Sequence, residues 1–236
     1  MPPVPLPTRR QDLPELAPLI HQALLDPHLT PEQLQEGCDA ARQLGMGGLC
    51  TSLRHLPMLR ERLGAPGATR LIATIAFPFG GLPSELKQAE AEWAAEQGAD
   101  ALDVAPDLAA LATGDGNQFA EELAALGAIG LPITVVLDLN RLADDRLELA
   151  VEAALDAGVS ALQSGPGFGP GVTPAQIQRL RGLCRARCGI KAVGGIQQLE
   201  TCAALIEAGA TALGTSHGPQ LLQELRRPSS GGSHGD

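Results

Sequence analysis

The chain holds only two lysines, Lys87 and Lys191, and their settings differ. Lys87 lies in Ser84-Glu85-Leu86-Lys87-Gln88-Ala89-Glu90, an amphipathic helical pattern in which a solvated ion pair is the expected role. Lys191 lies in the apolar run Gly189-Ile190-Lys191-Ala192-Val193. An inward-facing ammonium there must be hydrogen-bonded or paired with a carboxylate, so a functional role is expected. Asp103 and Asp138 end two other apolar runs, where an acid or base would be displayed; each could equally cap the following loop through its side-chain oxygens. Glycine placement is the third signal. Gly165-Pro166-Gly167-Phe168-Gly169-Pro170-Gly171, then Gly194-Gly195, then Gly214-Thr215-Ser216-His217-Gly218 follow three successive apolar runs. Glycines admit a ligand close to the backbone and turn N–H groups toward an anion, so the three clusters are expected to converge on one phosphate; any one alone would read as a tight turn.

Two further sets of residues could carry chemistry. His21, His55 and His217 could together hold a metal, but no metal-ligand spacing supports it, and neither a metal nor another cofactor is expected. The five cysteines (Cys38, Cys50, Cys184, Cys188, Cys202) are an odd set in a chain large enough to need no staples, which fits a reducing cytoplasm. Cys184 and Cys188 lack metal-knuckle spacing and have no matching second pair.

These residues need a frame to position them. Short apolar runs alternate with longer amphipathic segments, the signature of βα units with a parallel, buried sheet. The runs are 47–52, 70–77, 101–105, 133–138, 159–164, 189–193 and 212–215, with 19–23 as an eighth that periodicity cannot separate from a helical turn. Helices are expected over 31–44, 83–97, 118–126, 144–157, 174–187 and 199–208. Pro31, Pro83 and Pro174 stand at first helical positions, and Gly98, Gly158 and Gly209 at helix ends. Each of those glycines opens a related phrase: Gly98-Ala99-Asp100-Ala101-Leu102, Gly158-Val159-Ser160-Ala161-Leu162 and Gly209-Ala210-Thr211-Ala212-Leu213. A cap-plus-strand phrase recurring at this spacing favours a single TIM (β/α)8 barrel over the alternative, an open doubly wound sheet. Barrels of this kind often bind phosphate after strands seven and eight.

Composition bounds the rest. A chain of 236 residues with 44% hydrophobic content can bury a large core. Its net charge of -10 and its five aromatics (Phe77, Phe79, Trp93, Phe119, Phe168) leave no basic groove with stacking platforms, so nucleic acid is not an expected partner. No run approaches the length of a membrane span, and no signal-peptide block follows Arg9 and Arg10. Residues 1–11 are expected to be extended, 12–227 to form the barrel, and 228–236 to be a flexible tail.

The sequence from Leu19 to about Leu225 resembles deoxyribose-phosphate aldolase, a Schiff-base (class I) aldolase family with a TIM-barrel fold. The matching phrases are Ala76-Phe77-Pro78-Phe79-Gly80, Glu85-Leu86-Lys87-Gln88-Ala89-Glu90-Ala91, Gly98-Ala99-Asp100-Ala101-Leu102-Asp103-Val104, Gly167-Phe168-Gly169-Pro170-Gly171, Ile190-Lys191-Ala192-Val193-Gly194-Gly195-Ile196 and 206–216. They are specific in combination and in order. The resemblance implies retro-aldol cleavage of 2-deoxyribose 5-phosphate to glyceraldehyde 3-phosphate and acetaldehyde, through an imine on a strand-six lysine in a Lys-Thr-Ser-Thr-Gly phrase. Here that phrase reads Gln163-Ser164-Gly165-Pro166-Gly167. A carboxamide nitrogen is neither basic nor nucleophilic, so Gln163 offers hydrogen bonds to a sugar hydroxyl and nothing more.

Lys191 matches the family's second lysine, on strand seven, and Asp103 its proton-relay aspartate. Cys50 matches in the strand-two phrase, where Ser52 stands for an asparagine. His21-Gln22-Ala23 replaces an Asp-His-Thr phrase, and Asp138-Leu139 a Glu-Thr. The phosphate shell implied by the resemblance is Gly167, Gly194, Gly195, Gly214 and Ser216, with His217 for the usual serine. Two functions stand open: a family member that takes a small phosphorylated sugar or aldehyde, with Lys191 as amine and Asp103 as general acid/base, or a non-catalytic barrel that binds a phosphorylated metabolite or a protein partner. Homo-oligomerisation is left open.

Overall fold

A computed structural model describes residues 15–226; segments 1–11 and 228–236, expected to be extended and flexible, lie outside the described residues. Eight parallel strands close into a barrel in sequence order: β1 (Ile20–Leu24), β2 (Gly48–Thr51), β3 (Arg70–Ile75), β4 (Ala101–Val104), β5 (Ile133–Val136), β6 (Ala161–Gln163), β7 (Gly189–Val193) and β8 (Ala212–Thr215), which pairs back to β1. Around it run α1 (Pro31–Leu44), α2 (Leu56–Leu63), α3 (Ser84–Glu96), α4 (Leu108–Thr113), α5 (Gly116–Gly127), α6 (Asp144–Asp156), α7 (Pro174–Cys184), α8 (Leu199–Ala208) and α9 (Gly218–Arg226). The fold is a single TIM barrel.

Local chemistry sets the helix ends. Thr30 and Thr173 each build a capping box, with Gln33 and Gln176 respectively, ahead of a proline in the first turn. The run 19–23 resolves into a short 3-10 turn, Ala17–Leu19, followed by β1. The expected strand 70–77 stops at Ile75 because Ala76 turns out of the sheet with φ 51°. Helices α2, α4 and α9 are additional to the expected set: α4 has six residues, and α9 starts inside the glycine cluster expected to face a phosphate.

Strand alternation divides the buried residues into two sets. Outward-facing Leu49, Leu71, Leu102, Val135, Leu162 and Leu213 pack against the helices in one apolar core. The inward-facing set is small and polar: Cys50, Ile72 and Ala101 form a minor apolar cluster, and His21, Thr74, Asp103, Gln163 and Lys191 are buried with it. Polar groups are thus gathered on the axis while an apolar shell carries the packing.

Candidate active site

Lys191 on β7 and Asp103 on β4 meet across the barrel axis. Lys191 Nζ donates to Asp103 Oδ2 in a buried ion pair, and the Cys50 thiol on β2 donates to the same oxygen at 3.1 Å. Burial alone would push the Asp103 carboxyl up and the Lys191 ammonium down; the charge of each on the other, with their hydrogen bond, outweighs it, so Asp103 is held below and Lys191 above its ordinary range. Burial, and then the Asp103 charge, raise Cys50 well above the usual thiol range, so it stays protonated. Glycine makes room for the amine: a Cβ on Gly214 would come within 3.2 Å of Lys191 Cε.

Gln163 on β6 is the register partner of Lys191 on β7. Register partners in a parallel sheet project to the same face, about 4.8 Å apart, so the two side chains share the barrel interior. Gln163 Nε2 donates to Gly165 O at 2.8 Å, which leaves Oε1 buried without a protein partner. Asp103 Oδ1 and His21 Nδ1 are in the same condition. His21 lies within β1 over Gly48, whose Cβ would meet its ring at 3.0 Å. Burial first, and then the Lys191 charge, lower its pKa from 6.5 to about 3, so the imidazole is neutral. Three buried polar atoms without partners in one barrel mark a place for a polar ligand or its waters.

The glycine clusters draw together above this pair. Gly194 O accepts from Val172 N at 3.2 Å, joining the β6 and β7 loops; Thr215 Oγ1 donates to Ile196 O at 2.6 Å, joining β8 to the β7 loop. Gly194 and Gly195 have φ of 116° and 70°, and a side chain at Gly195 would come 3.2 Å from Gly171 Cα. Ser216 is exposed, its hydroxyl 3.1 Å from His217 Nδ1. Gly167 sits in the same mouth at φ 92°. The next residue, Phe168, meets Phe77 of the β3 loop with ring centroids 6.1 Å apart, so an aromatic contact spans from β3 to β6 over the mouth. Beside it lies a cleft of about 450 Å³ lined by Ser52, Arg54, Thr74, Phe77, Phe79 and Glu90, among others.

Several residues fall elsewhere than expected. Lys87, read as a solvated ion pair, is wholly buried: its Nζ donates to Glu122 Oε1 at 2.9 Å between α3 and α5. The helix face carrying Lys87 also carries Ala91 and Ala94, and it packs inward because α5 supplies a carboxylate. Asp138 is half-buried after β5, and its carbonyl receives Arg141 and Leu142 N–H, a turn role outside the Lys191 cluster. Among the described residues no group of three or more His, Cys, Asp or Glu is placed to hold a metal, and no helix is long and apolar enough to cross a membrane.

Two positioning residues escaped sequence reasoning. Gln22 clamps the β8 loop, donating to Ser216 O at 3.1 Å and accepting from Gly218 N at 3.0 Å. Glu90 accepts the Ala76 N–H at 2.7 Å and so fixes the turn that carries Phe77. The only local hint was a polar residue in an apolar strand for the first, and none for the second.

The closed barrel thus carries a buried amine–carboxylate pair beneath a glycine-lined mouth. No protein-family model matches the chain. The deoxyribose-phosphate aldolase of Trichormus variabilis is 35% identical over 215 residues, covering 91% of this chain and 95% of the relative. That of Corynebacterium glutamicum is 33% identical over 216 residues, covering 88% and 95%. Among solved structures, the tetrameric deoxyribose phosphate aldolase from Aeropyrum pernix has a TM-score of 0.80 at 28% identity, covering 92% of each chain, and the aldolase QR15 has 0.84 at 28%, covering 89% of this chain and 95% of that one. The chain belongs to the deoxyribose-phosphate aldolase family.

Proposed function

We propose that this barrel takes a small phosphorylated sugar or aldehyde, with its phosphate in the loops after β6, β7 and β8, and cleaves 2-deoxyribose 5-phosphate through Lys191. The shell assigned to the phosphate is Gly167, Gly194, Gly195, Gly214 and Ser216. With Gln163 unable to attack a carbonyl, Lys191 is the one primary amine inside the barrel. It condenses with the C1 aldehyde, losing water to form the imine. Asp103, acting through a water, accepts the C3-hydroxyl proton as the C2–C3 electron pair moves toward the imine carbon. Glyceraldehyde 3-phosphate leaves, and the enamine is protonated and hydrolysed to acetaldehyde. Gln163 Oε1 accepts from a substrate hydroxyl and Asp103 Oδ1 from the relaying water; Cys50 orients Asp103.

The observation that carries this reading is the buried Lys191–Asp103 pair. It also sets the cost. Lys191 must lose its proton before it can attack, and Asp103 favours the ammonium, so turnover is slow and climbs with pH toward and beyond the ordinary lysine range. That same ion pair favours a second reading, a non-catalytic barrel that binds the phosphorylated ligand or a protein partner. Borohydride reduction in the presence of 2-deoxyribose 5-phosphate separates the two. The catalytic reading expects a reduced adduct on Lys191 that is absent in Lys191→Met. Absence of adduct and turnover with phosphate-ester binding intact leaves the second.

Cytoplasmic residence and self-association complete the proposal. All five cysteines are free thiols, and Phe79, Leu86 and Trp93 are exposed apolar side chains on the β3 loop and α3, suited to a contact between copies. Light scattering on the full chain reads the assembly.

A further inference from the structure

The Cys184 and Cys188 pair, for which neither metal spacing nor the aldolase chemistry has a use, closes on itself in the fold. Cys184 is the last residue of α7, and Cys188 immediately precedes β7. Between them Arg185 and Ala186 stand consecutively in the left-handed region, at φ 49° and 59°, and Arg187 N–H donates to the Cys184 carbonyl at 2.9 Å. This is a reversing turn with two positive φ angles, built from residues that do not favour it. The turn folds the chain back between the two cysteines, so that each thiol lies within electrostatic reach of the other. Cys188 is the one cysteine of the chain that is not buried.

We propose that Cys184 and Cys188 form a reversible thiol–disulfide site, with Cys188 the thiol that hydrogen peroxide oxidises and Cys184 the resolving partner. Cys188 thiolate displaces hydroxide from the peroxide O–O bond and becomes a sulfenic acid. The Cys184 sulfur then attacks the sulfenic sulfur; the S–S bond forms, the S–O bond breaks, and water leaves with the Cys184 proton. The two sulfurs give up two electrons, and one peroxide becomes two waters once the hydroxide takes up the proton Cys188 had lost. The neighbouring Cys184 thiol, and with it the Arg187 charge, hold Cys188 below the ordinary thiol range against the opposing effect of burial. Arg187 is only loosely engaged elsewhere, at 3.7 Å from Asp156. A half-exposed, short-loop disulfide of this kind is easily reduced again. The site lies at the strand end away from the glycine loops, three residues before Lys191, and does not depend on the proposed activity.

The test treats the full chain with hydrogen peroxide and follows intact mass and peptide maps. The expected product has lost two hydrogen atoms, carries one Cys184–Cys188 disulfide, and reverts with dithiothreitol. Cys184→Ser should accumulate a dimedone-reactive sulfenic acid on Cys188, and Cys188→Ser should form no disulfide. Alkylation of Cys188 should run roughly tenfold or more faster than that of the four buried thiols. Circular dichroism checks that both variants fold. Equal alkylation rates, a disulfide between other cysteines, or oxidation that leaves 184 and 188 unlinked would overturn the proposal.

Discussion

Both lysines of the chain end in buried ion pairs, and the pairs differ in what is left over. Glu122 is complete: one carboxylate oxygen accepts from Lys87 and Asp107 N, each at 2.9 Å, and the other from Ser84 Oγ at 2.8 Å. Asp103 is not. One oxygen takes both Lys191 and Cys50, while the other has no protein partner, in a barrel where Gln163 Oε1 and His21 Nδ1 also have none. Burial and charge are alike in the two places, so neither marks a site by itself. Unfinished hydrogen bonding does: the helix pair ties α3 to α5, whereas the barrel pair keeps acceptors for something that arrives.

The comparison breaks first at stability. Lys87→Met should cost about 3–5 kcal/mol in urea unfolding, because a carboxylate built into a helix interface loses its counter-charge. A smaller cost, near that of an exposed pair, would erase the distinction. His21 supplies the next effect. The unfolded imidazole titrates near 6.5 and the folded one at about 3, so on acidification the unfolded chain takes up the proton first. Its contribution is intact above pH 6.5 and shrinks as pH falls toward 3; by pH 5 the native chain should have lost about 2 kcal/mol that a folded His21→Gln retains.

Ligand binding sharpens the comparison further. Asp103→Asn should weaken binding of 2-deoxyribose 5-phosphate by about tenfold in calorimetry, the loss of one charge-assisted hydrogen bond, while Lys87→Met should leave it within about twofold. Equal losses in both would make the helix pair part of the site. The smallest effect belongs to the mouth: Phe168→Ala should cost about 0.5–1.5 kcal/mol of stability for the lost contact with Phe77.

Much of this was legible in the sequence, for identifiable reasons. Repeating cap-and-strand phrases gave the barrel, while a lysine within one apolar run and an aspartate at the end of another marked Lys191 and Asp103. Local pattern could not see partners far along the chain. Lys87 reads as a surface lysine because its carboxylate stands 35 residues away on α5. Gln22 reads as a departure from a family phrase because the groups it clamps are 194 and 196 residues away, reached only when the barrel closes. Helices α2 and α4 are too short for periodicity to rise above the loops that flank them.

The central claim is that the amide at position 163 shuts imine chemistry on β6 and leaves it to the amine of β7, whose backbone runs about 4.8 Å away, where misplacing the reacting atoms by ~1 Å already costs about a hundredfold. Gln163→Lys tests this most directly, since the Lys191 charge beside it would depress the new amine's pKa. Cleavage of 2-deoxyribose 5-phosphate should rise by about a hundredfold or more, and the borohydride-trapped adduct should move from Lys191 to position 163. A folded Gln163→Lys that cleaves no faster than the native chain would contradict the account.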